Sequence, residues 1–290
     1  MSNLYNYLPD YSLLIENKIL LYPMIYIISA ILVSFSNVVI YRLPIIINFF
    51  YASLIKSNTT EKIDDVEEAY NLGLDMSLSN PPSRCNECLS KIKPYNNIPI
   101  ISYIINKGKC TNCSVKYSTS HFISELLIPL IPLALLHFKG ISVNTLFLIS
   151  FFFVAYIMAN IDFRHKIIPD QLNISMAFII FAYIAIGEPI ITIKESLINV
   201  VISFIFLSLF YKIINRNKHS FGYADVKLLT IISALFALED FVNMLLLASI
   251  IGIFEILVLK KLIYKDKSKE LGFAPAILLS SFIFLLYFIN

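Results

Sequence analysis

Long apolar runs constrain this chain more than anything else in it. Eight of them lie near residues 19–41, 122–138, 141–161, 171–187, 196–211, 226–238, 241–259 and 272–288. Several reach the roughly 20 residues that a helix needs to cross a bilayer. A soluble chain of 290 residues could bury a large core, yet it could not hide this many such runs. Hydrophobic residues make up 58% and charged residues 15%, against about 45–50% and about 25% in soluble domains. In lipid the backbone must satisfy its own polar groups, which helices do. The reading is an all-α, polytopic membrane bundle of about eight transmembrane helices.

A net charge of +3 is too small for a polyanion binder, so lipid is the expected surroundings and nucleic acid is not an expected partner. The positive charges sit between the apolar runs and set a topology. With Met1 outside, Arg42, Arg84, Lys91, Lys93, Lys107, Lys109 and Lys116 fall inside. So do Arg164 and Lys166, then Lys212, Arg216 and Lys218, then Lys260, Lys261, Lys265, Lys267 and Lys269. Inverting the order breaks the asymmetry at every loop. No basic start precedes the first run, which is too long for a signal segment, so it is expected to stay as a membrane helix.

The domain reading follows. Residues 1–18 form an extracytoplasmic segment, and residues 19–44 form the first transmembrane helix. Residues 45–121 form a cytoplasmic loop, and residues 122–290 complete the membrane domain. After Pro44 the apolar stretch Ile45 to Ile55 either lies along the interface or extends the helix. The acidic stretch Glu61 to Glu68 reads as a solvated face with no chemistry of its own. There is no internal repeat of the kind that marks many transporters.

All four cysteines fall in two pairs inside that loop: Cys85 and Cys88, then Cys110 and Cys113. A C-x-x-C pair places two thiolates on one turn, and two such turns can close a tetrahedral four-thiolate shell around Zn²⁺. Such a shell leaves no open position and is structural. Metal binding of about 10–16 kcal/mol can fold a small loop with little core. Disulfides and free thiols are the other readings, but disulfides rarely persist in a reducing cytosol.

Acidic residues at the edges of the apolar runs are few. Asp162 ends the third run, and Asp225 opens the sixth. The topology puts both on the cytoplasmic side. Asp225 could simply cap a helix N-terminus. Asp162 sits at a helix C-terminus, where a negative charge opposes the macrodipole, so capping does not account for it. Asp170 reads as an N-cap for the fourth run, and the role of Glu125 stays open. Two carboxyls facing each other across a partly dry site share one proton. One then activates water while the other protonates the carbonyl oxygen or the leaving amine. No H-E-x-x-H or G-x-S-x-G motif is present, and His121, His137, His165 and His219 show no ligand pattern. A proton- or cation-coupled transporter and a non-catalytic scaffold are the competing readings of the same acids.

The motifs together resemble the type IV prepilin peptidase family. Val33 through Pro44 (VSFSNVVIYRLP) is similar to the family's GSFLNVVIYRLP signature, with Val33 and Ser36 in place of Gly and Leu. Pro82–Cys88, Asn97–Tyr103 and Gly108–Cys113 are similar to its cytoplasmic zinc loop. Ile161-Asp162 through Pro169-Asp170 is similar to its first aspartate motif. Gly222-Tyr223-Ala224-Asp225 is similar to its GxGD motif, with Ala224 in place of Gly, and Phe273-Ala274-Pro275 is similar to its FGP motif. The resemblance implies a bacterial inner-membrane aspartic endopeptidase with Asp162 and Asp225 as the catalytic pair. It implies prepilin or type II secretion pseudopilin substrates, each with a short basic leader followed by an apolar helix and cut at the cytoplasmic face. It also implies N-methylation of the new N-terminus with S-adenosylmethionine, and a zinc held by Cys85, Cys88, Cys110 and Cys113.

Overall fold

The computed structural model describes residues 18–58, 77–85, 87–216, 222–262 and 272–289. The expected extracytoplasmic segment, the acidic stretch Glu61 to Glu68, His219, Lys218 and the basic cluster at residues 265–269 lie outside the described residues. Among the described residues there is no β-strand. Only the isolated bridges Arg84 with Lys91 and Lys109 with Lys116 pair extended backbone. The fold is all-α, as the apolar runs require. The chain divides into two compact units, Met1–Asn37 with Pro82–Phe138, and Val38–Pro81 with Lys139–Asn290.

Helix α1 (Lys18–Asn58) is a single helix of 41 residues. The stretch after Pro44 therefore extends the first helix. In the second unit, Arg42 on α1 donates to the carbonyls of Ser77, Leu78 and Pro81 at 3.0, 3.3 and 2.6 Å. A residue read as a topology charge thus also pins the backbone at the far end of the loop.

The first unit holds α2 (Ile101–Ile105), α3 (Thr119–Leu127) and α4 (Leu130–Lys139). Pro129 separates α3 from α4. Three side-chain contacts tie the early part of α1 to them. Tyr22 pairs with His137 at 2.9 Å, Tyr26 donates to the Leu126 carbonyl at 3.0 Å, and Asn37 donates to Ser124 Oγ at 3.0 Å. Such polar links between apolar helices replace the hydrophobic drive that lipid removes.

The second unit is built from α5 (Val143–His165), α6 (Asp170–Ile186), α7 (Ile193–Ile214), α8 (Tyr223–Ile232), α9 (Leu238–Leu262) and α10 (Ala274–Phe288). Helix α10 packs on both α9 and α5, α6 packs on α5, and α8 packs on α7, α6 and α10. Met158, Ile161, Met176, Ile180, Leu228, Ile232, Met244 and Ile277 fill the core with no exposed surface.

Among the described residues, five helical segments are long and apolar enough to cross a membrane: Leu20–Tyr51, Thr119–Lys139, Val143–His165, Ile193–Ile214 and Leu238–Val258. Asp170–Ile186 and Ala274–Phe288 are shorter apolar helices. The sixth apolar run is where structure and sequence pattern differ. Helix α8 has 10 residues, about 15 Å at 1.5 Å per residue, and a 3₁₀ turn, Ser233–Leu235, follows it. Its ending inside the bundle is paid for by side chains of α7. Ser196 donates to the Ala234 carbonyl and Asn199 to the Phe236 carbonyl, each at 2.8 Å. Where water is absent, such partners are what allow a helix to stop.

Candidate active site and thiol cage

The four cysteines lie on two turns of the same design. Cys85 N–H donates to the Ser90 carbonyl and Leu89 N–H to the Cys85 carbonyl, both at 3.0 Å. In the second turn Cys110 N–H donates to the Val115 carbonyl at 2.9 Å and Ser114 N–H to the Cys110 carbonyl at 3.0 Å. Each turn places the residue after its second cysteine in the left-handed region, Leu89 at φ 55° and Ser114 at φ 59°. This wraps the backbone around the thiols. Gly108 lies at φ 64°, and a Cβ there would come within 2.6 Å of the Tyr103 ring. That ring stacks on Phe122 at 4.5 Å. Glu125 accepts the Ile100 N–H at 2.9 Å. Its open role is thereby assigned: it fixes the loop leading into α2.

The four sulfurs all lie within 4.8 Å of one another. Cys85 and Cys113 are 3.7 Å apart, and Cys88 and Cys110 are 3.9 Å apart. A tetrahedron with the usual zinc–sulfur bond has edges of about 3.8 Å, so the cage could hold a metal such as zinc. All four thiols are free. Two of the thiols are already biased toward thiolate. The Ser90 hydroxyl and backbone N–H bring Cys88 down to about 7. The backbone N–H groups of Cys113 and Asn112, with Tyr117, bring Cys110 down to about 5. Among the described residues no other group of His, Cys, Asp and Glu side chains could hold a metal.

The second unit brings the two boundary aspartates together. Asp162 lies on the last turn of α5 and is only 4% exposed. Its carboxylate accepts the backbone N–H of Ala274 at 3.2 Å, at the start of α10. The unfavourable end of one helix is thus offset by the favourable end of another. Gly272 makes the approach possible. A Cβ there would lie 1.8 Å from Asp162 Oδ2.

Asp225 sits in the first turn of α8, whose N-cap is Gly222 without a side-chain cap. Asp225 is thus not the N-cap residue, but its carboxyl accepts a backbone hydrogen bond from Gly222 and so contributes to capping. A Cβ on Gly222 would come within 2.9 Å of Asp225 Oδ2. The charge of Asp162 acts on Asp225, so the two carboxyls share one electrostatic environment. Ala224 is helical, outside the left-handed region, and its methyl group meets no backbone penalty.

Asp170 corrects its expected role. The N-cap of α6 is Pro169, and Asp170 is the first helical residue. Its two carboxylate oxygens instead receive Lys227 Nζ at 2.8 and 3.0 Å. This bridge links α6 to α8, two residues beyond Asp225.

Two further residues of this region escaped the sequence reading. Gly272 reads in the sequence only as the start of an apolar run. Glu255, a half-buried acid inside α9, also lies in the field of Asp162. An ionisable residue within an apolar run was the signal that could have found it.

Fold and site define a class: a multi-pass helical membrane protein with a four-thiol cage in one unit and paired acids in the other. Comparison with known proteins supplies the family. Residues 27–138 match the Bacterial Peptidase A24 N-terminal domain, and residues 146–257 match the Type IV leader peptidase family. The prepilin leader peptidase/N-methyltransferase of Vibrio cholerae serotype O1 is 33% identical over 228 residues, 78% of this chain and 81% of that protein. The protein of the same name from Pectobacterium carotovorum is 28% identical over 86% of this chain and 87% of its own length. That of Aeromonas salmonicida is 28% identical over 92% and 91%. No solved structure matches. The chain belongs to the type IV leader peptidase family, and it is a peptidase.

Proposed function

We propose that this protein removes the basic leader from prepilins and type II secretion pseudopilins at the cytoplasmic face of the inner membrane, with Asp162 and Asp225 as the catalytic pair. The observation that carries this reading is that α5 and α8 bring two acids, 63 positions apart by subtraction of their numbers, into one field beside the α10 N-terminus. The chain order supports the single-sided placement. Asp162 lies in the last turn of α5, α6 runs back, α7 returns, and Asp225 lies in the first turn of α8 on the starting side. The positive-inside pattern makes that side cytoplasmic.

The chemistry follows from one shared proton. The ionised aspartate takes a proton from water as the water oxygen attacks the scissile carbonyl carbon. The protonated aspartate donates to the carbonyl oxygen, giving a neutral tetrahedral diol. Collapse moves a proton to the leaving nitrogen, the C–N bond breaks, and one carboxyl group again holds a proton. Each aspartate accepts a backbone hydrogen bond, Asp162 from Ala274 and Asp225 from Gly222, so either can serve as the base in the first step with the other as the acid.

In the same proposal residues 45–121 form the cytoplasmic part, residues 122–290 form the peptidase part, and Cys85, Cys88, Cys110 and Cys113 hold zinc. With four sulfur ligands the ion would be structural. The names of the relatives support N-methylation of the new N-terminus, with S-adenosylmethionine supplying the methyl group.

The test is mass spectrometry of a co-expressed prepilin with Asp162→Asn and Asp225→Asn made separately. Each variant should leave the leader attached while the enzyme still reaches the membrane. Normal processing by either one rejects the pair.

A further inference from the structure

The cleft beside the aspartate pair contains an acid that no step above employs. Gly252 and Glu255 of α9, with Gly272 and Phe273, line an open cavity of about 260 Å³. Gly272 is also the residue whose missing side chain makes room for the Asp162 carboxylate. Cavity and carboxylate therefore share a wall. Gly252 lies one turn before Glu255, and a Cβ there would come within 3.2 Å of the Phe273 ring. That close approach keeps α9 beside the Gly272–Phe273 segment and holds Glu255 at the mouth of the cavity.

An acid inside an apolar helix is costly and is kept where it lines a polar path or meets a cation. Here it lies half-buried in the field of Asp162. A carboxyl at this place favours an ammonium or guanidinium group, whose approach draws the carboxyl to its ionised form. Ser249, Ile253 and Ile256 complete a mostly apolar lining, so the cavity offers apolar walls for the stem of a long cationic side chain and one carboxyl for its head.

We infer that Glu255 is a substrate-binding residue that receives a cationic side chain from the leader, and that the cleft between α9 and Gly272–Phe273 takes the chain just upstream of the scissile bond. This rests on the proposed cleavage between Asp162 and Asp225. It adds how the enzyme senses the charge of the segment it removes. The apolar part downstream has no use for a carboxylate and passes elsewhere.

The experiment uses the full-length enzyme in lipid nanodiscs with three prepilins whose leaders are basic, neutral or acidic. Wild type should show a KM about tenfold higher on the neutral leader than on the basic one, the scale of one charge pair lost from a desolvated interface. Glu255→Gln should raise KM on the basic leader by about the same factor with kcat within about twofold, and should no longer distinguish basic from neutral. Glu255→Lys should prefer the acidic leader, and Glu255→Asp should restore the basic preference, which separates charge from folding. If Glu255→Gln keeps the full wild-type discrimination, the inference is wrong. Asp162→Asn is run alongside. Its inactivity on all leaders leaves the aspartate pair standing, and activity on any leader removes the pair itself. Binding of the basic and neutral leaders to Asp162→Asn, with and without Glu255→Gln, reads the Glu255 effect without turnover.

Discussion

Replacing Gly272 by alanine tests the site at its tightest point. The added Cβ would lie 1.8 Å from Asp162 Oδ2, 2.4 Å from its Cγ and 2.7 Å from its Oδ1. Ordinary carbon–oxygen contact is near 3.2 Å, so the carboxylate must retreat by roughly 1.4 Å or the Gly272 backbone must move as far. Either shift breaks the 3.2 Å hydrogen bond from Ala274 N–H. A displacement of this size at a reacting group costs about 10²-fold in rate. Overpacking of a filled site adds about 1–3 kcal/mol of destabilisation. The assay is leader removal from a purified prepilin, following kcat at saturating substrate. Metal content is measured in parallel, because the thiol cage belongs to the other unit and should be unaffected. Gly140→Ala is the control: its φ of 71° adds a backbone strain that Gly272 does not have, but nothing lies within 4 Å of its Cβ position, so kcat should stay near wild type. A Gly272→Ala enzyme with wild-type kcat would refute the argument that an empty side-chain position seats Asp162.

Other consequences can be checked with similar means. Breaking the Asp170–Lys227 bridge by Asp170→Asn should cost under about 1 kcal/mol, since both side chains are well exposed, as for other surface pairs; a double-mutant cycle on thermal melting reads it. Asn199→Ala leaves the Phe236 carbonyl unpaired inside the bundle and should lower stability by about 1–3 kcal/mol in detergent melts. Zinc measured after dialysis should be retained at pH 7 and lost as pH falls, because the metal needs its sulfur ligands as thiolates and protons compete for them. Cys85→Ser should remove metal at any pH, and unchanged zinc content in that variant would reject the cage as the binding site.

What the sequence made legible was local. Apolar runs, the two C-x-x-C turns and acids at the run edges are patterns within about 20 residues, and each has its counterpart in the structure. What stayed hidden depends on distant partners. The run at 226–238 reads the same whether it is one helix or a short helix with a 3₁₀ turn. Its ending is decided by Ser196 and Asn199, which are 38 and 37 residues from the carbonyls they satisfy. Asp170 resembles a cap because caps are local, while its true partner, Lys227, is 57 residues away. Gly272 gave no pattern to read, because its contribution is the absence of atoms. Glu255 was visible as an acid in an apolar run, but weighing only the run edges passed it over.

The brevity of α8 reaches beyond the site. A helix that crosses the whole bilayer takes its height from the lipid on both faces. This one is hung from α7 by two side-chain hydrogen bonds, so protein sets the level of Asp225. Thicker or thinner host membranes therefore leave that acid at the same elevation against its partner on α5.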